Sequence, residues 1–178
     1  MATALASIGC TGVLKATLSH TVQGESVDVI ADAAVFSAAF TSGTTANKAD
    51  LFYQEIDRAL TSASNDDLDV YDMAVFDAAT DLLGNTITHV EICAVAIRNQ
   101  SGSAGNLVLG GEGSAAAWNS MFSASDTATI TIHPGGFFML VAPDDPAYAV
   151  ADTSNHLLRV NASGGDITYD ISILGRSA

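Results

Sequence analysis

The chain has 178 residues and a formal net charge of −14, with Lys+Arg 6 against Asp+Glu 20. That length favours one domain with a real core, and the acidity sets nucleic acid aside as a partner, because phosphate backbones repel it. Charged residues make up only 15% of the chain, against about 25% in a typical soluble domain; burial of weakly polar surface between copies accounts for the shortage, and a monomer covered in Ser, Thr, Ala and Gly is the plainer reading.

Taken in order, residues 1–24 are rich in Ala, Ser, Thr and Gly and read as an N-terminal arm or peripheral strand, extended over 13–18. Lys15 is the first cation, so no charged region precedes the early apolar residues as a signal peptide requires. Residues 25–178 read as the sandwich domain. Residues 27–30 predict a strand, and 35–40 fit a strand or a short helix. Residues 51–60 also fit both. As a strand they place Phe52, Gln54, Ile56, Arg58 and Leu60 on one face, and as a helix Leu51, Phe52, Glu55, Ile56 and Ala59. The strand is preferred, because no cap precedes the segment and its neighbours are β.

Residues 61–67 predict a polar turn, with Leu68, Val70 and Met73 anchoring the return. Residues 78–85 predict a single helical turn closed by Gly84. Residues 86–98 predict a strand whose second half is apolar on both faces, with Cys93 buried and inert inside it. Cys10 and Cys93 make no disulfide framework. A turn at 101–105 leads to a strand at 106–109, then to a long loop over 110–125. Trp118 and Phe122 stand there among small residues and are expected to pin the loop to the sandwich edge or to a neighbouring subunit.

The stretch 126–175 is the most legible. Ala128, Ile130 and Ile132 alternate with Thr127, Thr129, Thr131 and His133, the period of a half-buried strand. Pro134-Gly135-Gly136 breaks it. The run 137–141, apolar on both faces, suits a central strand covered on both sides. Short strands at 148–150 and 157–160 follow, and Ile167, Tyr169, Ile171 and Ile173 alternate with Thr168, Asp170 and Ser172 in a final one. Short strands punctuated by Gly and Pro predict an all-β fold: an antiparallel β-sandwich, jelly-roll-like, with a weakly structured N-terminal arm.

Reactive chemistry is sparse. Gly110-Gly111-Glu112-Gly113 lacks the lysine and the helix of a phosphate loop. Asn65, Asp66, Asp67, Asp69 and Asp72 gather oxygens of the kind calcium takes, but without the EF-hand order, and a solvated acidic turn is the simpler reading. Asp144-Asp145 likewise reads as a turn. His20, His89, His133 and His156 show no zinc spacing. No G-x-S-x-G elbow is present, and no pair among the twenty acids stands out as a glycosidase couple. No apolar run is long enough to span a bilayer. Catalytic, cofactor and metal residues are therefore not assigned, and the chain is expected not to be an enzyme.

From residue 51 onward the order of motifs resembles small tailed-phage virion structural proteins of the head decoration (cement) type. The resemblance rests on Asp67-Leu68-Asp69, 79–88, Ile97-Arg98-Asn99, 105–111 and Trp118. It continues through 132–138, Ala142-Pro143-Asp144, 148–150, 158–160 and 164–175. It implies a β-sandwich on the outer surface of the capsid, a homo-oligomer with a trimer as one option, in contact with the major capsid protein. Trp118, Phe122, Phe137 and Phe138 are the candidate contact or core anchors, with core packing the simpler role for Phe137 and Phe138. The alternative is a tail or fibre module binding a host surface glycan, with Trp118 as its aromatic platform.

Overall fold

The computed structural model describes residues 7–14, 17–22, 25–30, 34–73, 80–81 and 84–177. Its strands are β1 (Ile8–Leu14), β2 (Thr17–Val22), β3 (Glu25–Ile30), β4 (Ala34–Ser42), β5 (Lys48–Ala49), β6 (Leu51–Leu60) and β7 (Asn65–Asp69). Then come β8 (Glu91–Asn99), β9 (Asn106–Gly110), β10 (Thr129–Ile132), β11 (Phe137–Val141), β12 (Tyr148–Ala149), β13 (Leu157–Ser163) and β14 (Ile167–Arg176). Helix among the described residues is confined to the 3-10 turn Ser120–Phe122.

Two antiparallel sheets face each other. One has the order β10-β9-β13-β7, the other β11-β8-β14-β6, with β12 also paired to β8. Four pairs join the halves of the chain in reverse order: β6 with β14, β7 with β13, β8 with β11, and β9 with β10. The chain from β6 to β9 thus doubles back on itself, and the doubled ribbon wraps around one core. Leu107, Leu109, Leu158, Val160 and Ala162 enter it from one sheet, and Val95, Ile97, Tyr169, Ile171 and Ile173 from the other. Each aliphatic side chain fully buried this way is worth about 1.5–3 kcal/mol. The alternation over 167–173 sets the geometry: its odd positions are buried, and Thr168, Asp170 and Ser172 turn outward. The protein is an all-β antiparallel sandwich.

Several sequence expectations are resolved or corrected here. Residues 35–40 and 51–60 are both strand. The strand expected from residue 86 begins only at Glu91. His89 donates its backbone N–H to Tyr71, and its ring Nδ1 lies 2.8 Å from the carbonyl of Val70, so this stretch is tied to another loop. The helical turn expected over 78–85 lies partly outside the described residues. Thr80 and Thr86 bridge antiparallel there, and the Gly84 N–H donates to Asp81, so the chain reverses as a tight β connection. Gly84 does adopt positive φ, at 83°. The run 137–141 is not a central strand: β11 is the sheet's edge, and none of its residues is fully buried. It is apolar on both sides because Phe138 packs on the main core, while Val141 packs under the N-terminal ribbon.

That ribbon consists of two ladders. β1 pairs β4 from Ile8↔Phe40 to Leu14↔Ala34, and β2 pairs β3 from Thr17↔Ile30 to Val22↔Glu25. The region expected as a weakly structured arm therefore holds described strands. β4 also runs parallel to β5, at Thr41↔Lys48 and Ser42↔Ala49.

Arg176 fixes the junction of these parts. Its Nε donates to the Lys48 carbonyl at 2.9 Å and its Nη1 to Glu91 at 2.6 Å. Nη2 donates to the carbonyls of Pro143 and Asp144, at 3.1 and 3.0 Å. One guanidinium thus holds β14 to β5, to the start of β8 and to the loop leaving β11.

Candidate interaction surface

The outer face of the β11-β8-β14-β6 sheet is set by register. Its cross-strand rows are Val141, Ala94, Leu174 and Phe52, then Met139, Ala96, Ser172 and Gln54, then Phe137, Arg98 and Asp170. The ribbon covers the first row. Phe40 and Ala49 are buried with Cys93, Ala94 and Leu174, joined by Ile8, Cys10, Ala38, Phe52, Val141 and Ala147. Cys93 lies at the bottom of this cluster, and burial pushes its thiol up to about 11, so it is inert near neutral pH.

Past that cluster the ribbon reaches β11. A Cβ on Gly12 would stand 3.2 Å from the Cε of Met139. A glycine here lets the two elements approach closely. Cover stops at the next residues. Val13 and Val35 oppose each other across the ribbon and are each 60% exposed. Phe36 is 69% exposed, and Phe137 on β11 is 71% exposed. Two grooves share Met139 as a wall. One, of about 220 Å³, lies between Phe36, Ala38, Val141 and Pro143. The other, of about 290 Å³, runs along Thr11, Ala96, Phe137 and Asp170.

This face is almost free of charge. β1, β4 and β11 contain no Asp, Glu, Lys, Arg or His. The exception is at its far side, where Arg98 Nε donates to Asp170 at 2.9 Å. Burial disfavours the Asp170 carboxylate. Hydrogen bonds from the Asp57 N–H, Gln100 and Arg98 outweigh that and hold its pKa below the usual range.

The described arginines are all engaged within the chain. Arg58 pairs with Asp66 at 3.0 Å, Arg159 with Asp67 at 2.6 Å and Arg176 with Glu91 at 2.6 Å, beside Arg98 with Asp170. These contacts correct the reading of residues 65–69 as a solvated turn. They form strand β7, and Tyr169 Oη also donates to Asp66 at 2.9 Å. Asp69 accepts the Tyr71 N–H at 3.0 Å and lies 3.7 Å from His156. Among the described residues no cluster of three or more His, Cys, Asp or Glu is placed to hold a metal ion. His133 is exposed, with Nδ1 2.9 Å from Asn106 Oδ1.

The four candidate aromatics separate. Trp118 is 1% exposed; its Nε1 donates to the Ala149 carbonyl at 3.0 Å, and Tyr148 meets it edge to face. It pins the 110–125 loop to the sandwich and leaves no ring face for a sugar or a neighbour. Phe122 is half-buried, and a Cβ on Gly110 would stand 2.7 Å from its Cζ. Phe138 is half-buried on the main core. Phe137 alone of the four is exposed, so core packing is not its role. Val13, Val35 and Phe36 were missed by sequence reasoning. Gly, Ala, Ser and Thr dilute their neighbourhoods, so no apolar patch stands out in linear order. The paired signal is the recurrence of uncharged residues on both sides of one hairpin.

No described helix is long and apolar enough to cross a membrane. Comparison with protein-family models, with curated proteins and with solved structures finds no match to this chain.

Proposed function

We propose that this protein is a bacteriophage virion structural protein, a capsid decoration protein on the outer surface of the head. It would stabilise the shell through contacts between its own copies and with the major capsid protein. The observation that carries the reading is the uncharged apolar face of β1, β4 and β11 on a chain of net charge −14. Such a face suits persistent protein contacts, and the acidity of the rest suits a position away from packaged DNA. The reverse-order pairing of β6–β9 with β10–β14 also supports the reading. We read this folded-back pairing as jelly-roll-like, an architecture suited to capsid building.

The test compares purified particles that carry and lack the protein. Many copies per head, and DNA released at a lower temperature once the protein is removed, support decoration. Absence from purified particles overturns it. A few copies at the tail, with lost adsorption and intact heads, replaces it with the fibre module.

A further inference from the structure

We propose that β11 pairs edge to edge, antiparallel, with β11 of a second copy, so that one sheet runs through two molecules beneath their two ribbons. The proposal rests on the reading above, in that it names the seam behind the contacts between copies.

The first ground is the backbone. Asn99 N–H donates to Gly136, and Ala142 N–H donates to Cys93. Antiparallel hydrogen-bonded pairs alternate along a ladder. Phe138 and Leu140 are therefore the residues of β11 bonded to β8, opposite Ile97 and Val95. The N–H and C=O groups of Phe137, Met139 and Val141 face the free edge. An unpaired row of this kind is a template for another strand.

The other sheet edges are guarded. β6 exposes Gln54 and Asp57, and a register shift opposite Tyr169 and Ile171 bends it, with Asp57 at φ 60°. β7 carries Asp66, Asp67 and Asp69. β10 is four residues long and alternates Thr with Ile. Among the edges of the two facing sheets, β11 alone has no polar side chain. Charges, bulges and short length are the usual protections against edge pairing, and β11 has only its brevity.

The second ground is charge, and it selects the occupant. Two copies at −14 each repel wherever carboxylates meet. Contact through β11, β1 and β4 brings no carboxylate of those strands against another, and Glu25 and Asp28 stand farther along the chain on β3. A basic partner would instead seek the acidic surfaces. An open uncharged strand edge is complemented by another such edge, and the chain supplies one itself.

The ribbon is the third. It passes over β11 at Gly12 and Met139, and among the described strands β2 and β3 pair only with each other. A lone two-stranded ribbon is marginal in water. A sheet extended past β11 would lie in the path of that ribbon and give it support. Phe36 and Phe137, at 69% and 71% exposure, offer roughly 300 Å² between them. A typical interface takes about 800 Å² per partner, so the ribbons must contribute the rest.

Sedimentation equilibrium of the full chain, from micromolar to millimolar, tests the seam. The expected species is a dimer. Phe137→Lys, at an exposed position, and Met139→Pro, which removes a free-edge donor, should each weaken it roughly tenfold or more. Both variants should keep the far-ultraviolet β spectrum. A monomer throughout, a trimer, or a dimer of unchanged affinity in folded Phe137→Lys overturns the proposal. A monomer abundant on particles overturns the seam and spares decoration; a dimer absent from particles does the reverse.

Discussion

Arg176 meets Glu91 at 2.6 Å from a guanidinium that is 1% exposed, while its other nitrogens hold the carbonyls of Lys48, Pro143 and Asp144. The contact joins the central strand to the base of the interaction face. Removing one partner of a buried pair costs about 3–5 kcal/mol, because the other groups are left unmatched. Arg176→Met is expected to fall in that range by urea denaturation. A loss below about 1 kcal/mol, the scale of an exposed pair, would show that the junction does not depend on it.

His89 makes stability depend on mild acid. Burial pushes its imidazole down to about 4, and Gly175 is packed so close that a Cβ there would stand 2.3 Å from the ring. The unfolded chain takes up the proton more readily, with a pKa near 6.5. Stability is therefore full above about pH 6.5 and falls as the pH drops toward 4, by roughly 3 kcal/mol. Melting temperature followed across this window should show the slope, and His89→Asn should flatten it. Asp67 and Asp170, whose pKa values are lowered, lose their contribution at lower pH, below the ordinary carboxylate range.

Trp118 and Phe137 should respond in opposite ways. Trp118→Ala empties a core site and is expected to cost about 3–5 kcal/mol. Phe137→Ala, measured on dilute protein, should stay within about 0.5 kcal/mol. The emission of the single tryptophan should be blue-shifted when folded and move to the red on unfolding. A red-shifted native spectrum would contradict its burial.

Gly105 and Gly165 bring two backbones together where β9 begins and the β13–β14 turn passes. A Cβ on Gly105 would stand 2.2 Å from the Gly165 carbonyl oxygen. No side-chain rotation relieves that clash. Gly105→Ala should cost at least about 3 kcal/mol, whereas Gly102→Ala, with nothing within 4 Å of the added atom, should be close to neutral. Equal stability of the two variants would count against this packing.

The β14 alternation and the turns at Gly135 and Gly164 were legible because local period and positive φ are written in neighbouring residues. The rank of a strand within its sheet is not local. Phe137 to Val141 looks the same whether its second side meets a strand or a solvent-facing groove, which is why the run suggested a central strand. For Trp118 the sequence left open the sandwich edge or a neighbouring subunit, and the choice was not local: Tyr148 and Ala149, about thirty positions away, enclose it against the sandwich. The apolar face was illegible for a related reason: Val13, Val35, Phe36 and Phe137 become neighbours only through the β1–β4 pairing and the crossing at Met139.

β14 lies between β6 and β8, although it follows both in order of synthesis. While the ribosome is still adding residues 167–176, those two strands have no neighbour between them. Long-range pairing of this kind is slow, and half-made sheets are prone to stick to one another. The nascent chain must therefore wait for its last described strand before the sheet can close, and during that wait its exposed strands are most in need of a chaperone.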